Sequence, residues 1–414
     1  MGTERVFPEK GKPWKEVKEQ LARFRSMDTD EVRGRLTVDM HMGDEDVHRV
    51  CIEAYNMFFH RNATLAEYED GSKIMQHELL RMAVEILNGG EEGRANVTSG
   101  GTESIFCAMH AARQWAREHR PEVKEPEIII PYSGHAAFDK SSHYLDMKLK
   151  RIPVRDDYRA DVRAMEAAIT PDTIVMVGSA PNWPFGTIDP IEEISAVAQK
   201  HGLWMHSDCC VGGYINPWLE RLGYPIPLYD FRVPGVFSIS ADLHKHGYAA
   251  KPCSTVLYRS EELQKYHWVP VEDWPVGHYQ TQGLVGSRPT AAVAAAWAVM
   301  KYLGEDGYVE LARRSMEVKK RLVEGIESIE DFKCVDNETL LILFSSKTLD
   351  MFSILGGLVE KGYFPFGTFN PPQVQLDAEP ISDELLNALL ADLRDIATGV
   401  KNGTITAQSL AKYG

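Results

Sequence analysis

The sequence lacks most of what a disulfide-stapled, membrane-spanning or nucleic-acid-binding protein would need. Its 414 residues include six cysteines, Cys51, Cys107, Cys209, Cys210, Cys253 and Cys334. None forms a C-x-x-C pair, and adjacent Cys209 and Cys210 cannot readily bridge each other, so reduced thiols in a cytoplasmic protein are expected. No apolar run reaches the roughly 18 residues of a membrane span. Residues 1–25 are too charged for a signal peptide. Basic residues are also short: 45 Lys and Arg against 60 Asp and Glu leave a net charge of -15. A broad electropositive face is therefore excluded, and a nucleic-acid partner is not expected. Local groups such as helix N-termini still hold anions in an acidic protein. Internal repeats and low-complexity tracts are absent.

What remains is ordinary globular composition, 44% hydrophobic and 25% charged, with length for a sizeable core. Helical patterns open the chain at 14–24, 44–60 and 74–87. From about residue 95 short apolar runs alternate with helical stretches. Glu127–Pro131, Thr173–Gly178, Leu203–Ser207, Val236–Ser240 and Ser254–Tyr258 read as buried strands. Ser104–His119, Ser142–Leu145 and Pro190–His201 read as helices between them. This alternation predicts an α/β fold with a mostly parallel sheet flanked by helices. An alanine-rich helix at 290–302 leads into a smaller C-terminal α/β lobe, with a strand at 340–344 and helices at 349–361 and 383–398. The expected division is an N-terminal helical segment (1–60), a large domain (61–290) and a small domain (291–414).

Four segments carry chemistry. Thr98-Ser-Gly-Gly-Thr-Glu-Ser104 precedes a helix. Its glycines allow close backbone approach, Thr102 offers a hydroxyl, and the helix offers free N–H groups to a phosphate. An ordinary capped glycine turn fits the same residues. His206-Ser-Asp208 ends a strand, so Asp208 points into a ligand crevice or caps the next element. Ser240-Ala-Asp-Leu-His-Lys245-His-Gly247 places a lysine between two histidines just after a strand. Burial and a nearby cation would lower its pKa and free the amine for Schiff-base chemistry; a solvated lysine in a polar turn is the plain alternative. Ser133-Gly-His135-Ala-Ala-Phe138 presents an imidazole able to stack on a flat aromatic group. No metal site is expected: the histidines are scattered, and His244 and His246 have no further ligands nearby in sequence.

Read together, these segments resemble the sphingosine-1-phosphate lyases within the wider pyridoxal-phosphate (PLP) decarboxylase-like group. The most specific pieces are NVTSGGTESI (96–105), SGHAAFDK (133–140), YDFRVPGVFSISADLHKHGYAAK (229–251) and GSRP (286–289), with FRSMDTDEVRGR (24–35) resembling the family's start. The resemblance implies a fold-type I PLP enzyme, a homodimer with active sites at the subunit interface. It implies Lys245 as the Schiff-base lysine, Gly101, Thr102 and His244 at the cofactor phosphate, His135 on the ring and Asp208 at its nitrogen. Gly286 and Ser287 would come from the partner subunit. Tyr248, Lys251 and Tyr279 match positions near the substrate, Lys251 as the contact to an anionic group. The resemblance implies a member without the membrane anchor of the eukaryotic proteins, like the shorter bacterial relatives.

The chain departs from the family at two places. Where a tyrosine is usual, it reads Leu36-Thr-Val-Asp-Met-His-Met-Gly43, with His41 as a substitute donor. Where a histidine normally meets the substrate phosphate, it reads Asn62-Ala-Thr-Leu-Ala-Glu67, followed by Glu69. Those carboxylates would repel a phosphate if they faced it; a surface position is the alternative. The implied reaction is cleavage of Cα–Cβ in a β-hydroxy amine, giving an aldehyde and an amine, with His135, Lys245, Tyr248 or the cofactor phosphate as base. An amino-acid decarboxylase would use the same cofactor residues. Transamination is disfavoured by the absence of arginine between Arg321 and Arg394. A non-catalytic binding protein of the same fold is the remaining alternative.

Overall fold

The computed structural model describes residues 7, 9–27, 41–64 and 69–406. Seven strands form the large sheet: β1 (Arg94–Thr98), β2 (Glu127–Pro131), β3 (Lys148–Ile152), β4 (Thr173–Ser179), β5 (Trp204–Asp208), β6 (Val236–Ala241) and β7 (Ser254–Tyr258). Their order is β1-β7-β6-β5-β4-β2-β3. The pairs from β6 to β3 are parallel. β7 is antiparallel to both β6 and β1. Two reversals cancel, so β1 runs in the same sense as β2 to β6. The C-terminal ends of β1, β2, β5 and β6 therefore open on one edge of the sheet, where α/β proteins bind ligands.

The apolar runs are strands because both faces are covered. Alternate side chains go to two separate clusters. Ile129, Met176, Met205, Ile239 and Leu257 enter one; Ile128, Ile130, Val175, Val177, Trp204 and Val256 enter the other. Period-two alternation between two buried faces removes the polar face that would otherwise mark a strand. β3 shows the opposite case. Its sequence, Lys-Leu-Lys-Arg-Ile, is charged because it is an edge strand: Lys148 and Lys150 pair with Glu125 and Glu127, and Arg151 with Asp139. Such charges discourage edge-to-edge association.

Helices α1 (Trp14–Arg25), α2 (Glu45–Met57) and α3 (Asp70–Ile86) precede the sheet. Between and beside its strands lie α4 (Gly101–His119), α5 (Ala137–Leu145), α6 (Val162–Ala167), α7 (Ile191–Lys200), α8 (Asn216–Arg221) and α9 (Glu261–Gln264). α10 (Thr290–Glu327) outruns its apolar stretch, because beyond Gly304 it becomes amphipathic, burying Tyr308, Leu311, Ala312, Ser315, Leu322 and Ile326. Gly304 interrupts it with φ +55°, a conformation that glycine adopts without penalty. The small antiparallel sheet has the order β10-β11-β9-β8, built from β8 (Phe332–Cys334), β9 (Leu341–Ser346), β10 (Phe366–Phe369) and β11 (Pro372–Asp377). α11 (Met351–Glu360) and α12 (Asp383–Lys401) complete that lobe. No described helix is long and apolar enough to cross a membrane.

Candidate active site

The chain turns into α4 directly after β1. Gly101 is its first residue, and a Cβ there would stand 2.7 Å from Cys210 Sγ and 2.9 Å from Asp242 Oδ2. Only a glycine lets the helix N-terminus approach the β5 and β6 loops this closely. A Cβ on Gly100 would meet His244 Cε1 at 3.6 Å. The glycine loop, Cys210 after β5 and Asp242 and His244 after β6 thus converge on one spot.

Lys245 sits in that spot. Its Nζ is 2.8 Å from Asp242 Oδ2, and Asp242 is buried. Burial pulls the lysine pKa down, but Asp242, helped by Cys210 and Asp208, outweighs it and holds the ammonium above the ordinary lysine range. The Asp242 carboxyl is pushed up by burial and, more strongly in sum, held down by Lys245 and His244. The sequence-based expectation of a lowered lysine pKa is therefore corrected: the decisive neighbour is an anion three residues earlier. Lys245 must give up a proton to become nucleophilic.

Asp208 ends β5 and is buried. Its Oδ1 accepts from Cys210 N–H at 3.1 Å and from Ser240 Oγ at 2.9 Å, which fixes the carboxylate in place. His135 follows β2. Burial lowers its pKa, against the pull of Asp208, so the ring is neutral near pH 7. Its Nδ1 accepts from Ala137 N–H at 3.1 Å, which leaves the proton on Nε2. His244 has the same character: burial lowers it, and Nδ1 accepts from Cys253 N–H at 3.2 Å.

A cavity of 450 Å³ opens beside this centre. Met42, Cys51 and Ile52 give it an apolar side, and His41, Tyr248 and Lys251 a polar one. Tyr248 adopts φ +56°, strained for a tyrosine. Burial, then Glu379, drives its phenol pKa well above the usual value. His41 is turned to Glu379, with Nδ1 2.5 Å from Oε1.

Other predicted positions lie elsewhere in the chain. Gly286 O accepts from Thr64 Oγ1. Ser287 Oγ accepts from Asn62 Nδ2 at 3.1 Å. Tyr279 pairs with Val271 through the backbone. Glu69 is paired with Arg61 at 2.8 Å. Residues 36–40 and Glu67 lie outside the described residues, as does most of 24–35.

Two residues that motif reading passed over organise the site. Asp242 is the counter-ion, and its Asp-x-x-Lys spacing to Lys245 was the available signal. Glu103 accepts from Ser99 N–H at 2.6 Å through Oε2 and from Leu284 N–H at 2.5 Å through Oε1. It ties the glycine loop to the 283–287 segment, a link across 181 residues that no local pattern announces.

These residue types suit PLP: a lysine amine, a long helix N-terminus admitted by Gly101 for a phosphate, a fixed carboxylate at a strand end, and a neutral imidazole. Comparison with known proteins bears on the same question. Residues 71–347 match the model of the pyridoxal-dependent decarboxylase conserved domain. The chain is 39% identical over 374 residues to a sphingosine-1-phosphate lyase of Arabidopsis thaliana, covering 87% of this chain and 68% of that protein. It spans 63% of the length of the Rattus norvegicus counterpart. A probable L-aspartate decarboxylase of Pyrococcus furiosus is 32% identical over 357 residues, 86% of this chain and 94% of that one. The solved structure of a Burkholderia pseudomallei sphingosine-1-phosphate lyase superposes with a TM-score of 0.90 at 31% identity, over 97% of this chain and 94% of that chain.

Proposed function

Because the chain belongs to the pyridoxal-dependent decarboxylase family and is a PLP-dependent lyase of fold type I, we propose that it breaks the Cα–Cβ bond of a β-hydroxy amine. The proposed substrate has an apolar tail and an anionic head, in the manner named for its sphingosine-1-phosphate lyase relatives. Bound PLP supplies an electron sink for the pair left at Cα when the bond breaks.

In this reading Lys245 anchors the cofactor. Gly101, Thr102 and His244 would hold its phosphate, His135 would cover its ring, and Asp208 would pair with its ring nitrogen. The Lys245 amine, when not bonded to the cofactor, would be the group placed to take the proton of the substrate's β-hydroxyl. His135 is a poor base because its Nδ1 lone pair is already engaged with Ala137 N–H. Tyr248, whose phenol is held protonated, serves as a donor. Lys251 meets the anionic group, with His41 on the cavity wall.

The single observation that carries the substrate class is the cavity, apolar along Met42 and Ile52 and cationic at Lys251. The test is a product screen with PLP-loaded protein. A phosphorylated long-chain base should yield a long-chain aldehyde. CO₂ from a common amino acid, with no aldehyde from the base, would overturn the reading. A second reading, amino-acid decarboxylation, is favoured by one observation. Asn62, in the segment where relatives place a phosphate-binding histidine, is spent on Ser287. The identity to the probable L-aspartate decarboxylase supports it too.

Members of the family are generally dimers that act on small molecules. A homodimer is proposed here, with Gly286 and Ser287 reaching the partner's cofactor phosphate. It is supported by α1, which buries none of its residues, and by the exposed Trp274, Val276 and Leu284. The six free cysteines fit the proposed cytoplasmic location.

A further inference from the structure

We propose that His41, His246, Asp377 and Glu379 form a site for one divalent transition-metal ion of the Zn²⁺ class, which clamps the small lobe to the loop carrying Lys245. The inference does not depend on which reaction the enzyme performs.

The four side chains come from three distant parts of the chain. His41 precedes α2, His246 directly follows Lys245, and Asp377 and Glu379 lie at the end of β11 and two residues beyond. All four are buried, and one donor atom from each lies within 4.8 Å of the others. His246 has no further ligands nearby in sequence but three in space.

The spacing is near that of ligands around an ion: with one donor from each residue the set spans up to 4.8 Å and would close in on binding. Two donors each about 2.1 Å from a shared tetrahedral ion lie about 3.4 Å apart. His246 Nδ1 is 3.5 Å from Glu379 Oε1, and His246 Nε2 is 3.6 Å from Asp377 Oδ2. His41 Nδ1 is 3.8 Å from Asp377 Oδ2. These are long for hydrogen bonds. His246 offers whichever nitrogen turns to the ion. The 2.5 Å contact between His41 and Glu379 is the one that must open.

A second, independent observation is the hydrogen-bonding state of the cluster. His246 is 1% exposed, yet neither ring nitrogen makes a hydrogen bond, and Glu379 Oε2 makes none. Buried polar atoms in that condition are costly unless something else binds them. Charge points the same way. Two carboxyl groups, those of Asp377 and Glu379, share one buried pocket. A dication neutralises both carboxylates, and a mixed imidazole–carboxylate set suits a borderline ion over Mg²⁺ or Ca²⁺.

The test uses the PLP-loaded full chain, dialysed against Zn²⁺ and then against metal-free buffer, with metal content measured by mass spectrometry. About one zinc per chain is expected, together with a rise in unfolding temperature on adding Zn²⁺, as for any ligand of the folded state. In the Asp377→Asn, Glu379→Gln double variant, both the retained zinc and the temperature shift should disappear. If that variant does not fold, Glu379→Gln alone should bind zinc at least tenfold more weakly. Wild-type protein that keeps only trace zinc and shows no shift would overturn the proposal, leaving a proton shared by His41 and Glu379. Undiminished zinc in a folded variant would overturn it too, by placing the ion elsewhere.

Discussion

The edge of the large sheet and the junction with the small lobe are built by different rules. At the sheet edge, each functional residue follows its own strand within a few positions: Gly101 after β1, His135 after β2, Asp208 at the end of β5, Lys245 after β6. The parallel sheet brings these ends together, so each short motif already contains its own placement. At the junction, His41 meets Glu379 across 338 residues of chain; Glu379 follows the end of β11, but His41 follows no strand of the large sheet. The contrast teaches that the proposed cofactor half of the site is modular and the proposed substrate half is assembled. The first tolerates changes outside its motifs; the second changes whenever a distant segment does.

The largest expected effect that tests this contrast is at Asp208. Asp208→Asn should keep the fold and the cofactor but lower turnover on the order of 10²-fold, since a fixed charge aimed at the reacting system is lost. Cofactor content and kcat, measured on the same preparation, check this. An unchanged kcat would remove Asp208 from the site. Next is Gly101→Ala. The added carbon meets Cys210 Sγ and Asp242 Oδ2 below 3 Å, and overpacking should weaken PLP binding about tenfold. Fluorescence titration of the apo-protein gives that number, and wild-type affinity would show that α4 has room to move.

A smaller effect concerns two buried histidines, His206 on β5 and His267 just after α9. Burial drives His206 and His267 down to about 4, from the usual 6.5. Both are therefore neutral when folded, while the unfolded chain takes up protons below about 6.5. Stability should fall as pH drops from about 6.5 to 4, by on the order of 2 kcal/mol for each histidine, and level off below. Urea unfolding across that range tests it, and His206→Gln should flatten the dependence. The smallest effect should be at Glu69, whose partner Arg61 is exposed. Exposed pairs contribute about 0 to 1 kcal/mol, so Glu69→Gln should leave KM within about twofold. A marked fall in KM for a phosphorylated substrate would instead place this carboxylate at the substrate.

How much of this was legible in the sequence follows the same divide. The strands Glu127–Pro131 and Ser254–Tyr258 are found where their apolar runs predict them, because a doubly covered strand is uniformly apolar. β3 was invisible, because an edge strand shields itself with Lys148, Lys150 and Arg151 and looks like a polar loop. The length of α10 was missed, since its buried stripe beyond Gly304 is interleaved with charge. At the site, the order of motifs pointed to Lys245, but its anionic neighbour reversed the expected direction of its pKa. Glu103 and the His41–His246–Asp377–Glu379 cluster were illegible for one reason: their partners are set by tertiary packing and leave no local pattern.

The account's central claim is that Lys245, and no other lysine, bonds to the cofactor. Borohydride reduction of the PLP-loaded enzyme, followed by peptide mass mapping, tests it directly. The predicted result is one phosphopyridoxyl group per chain, on the peptide containing Lys245, and none in Lys245→Ala. Label on Lys251 or another lysine, or undiminished label in Lys245→Ala, would contradict it.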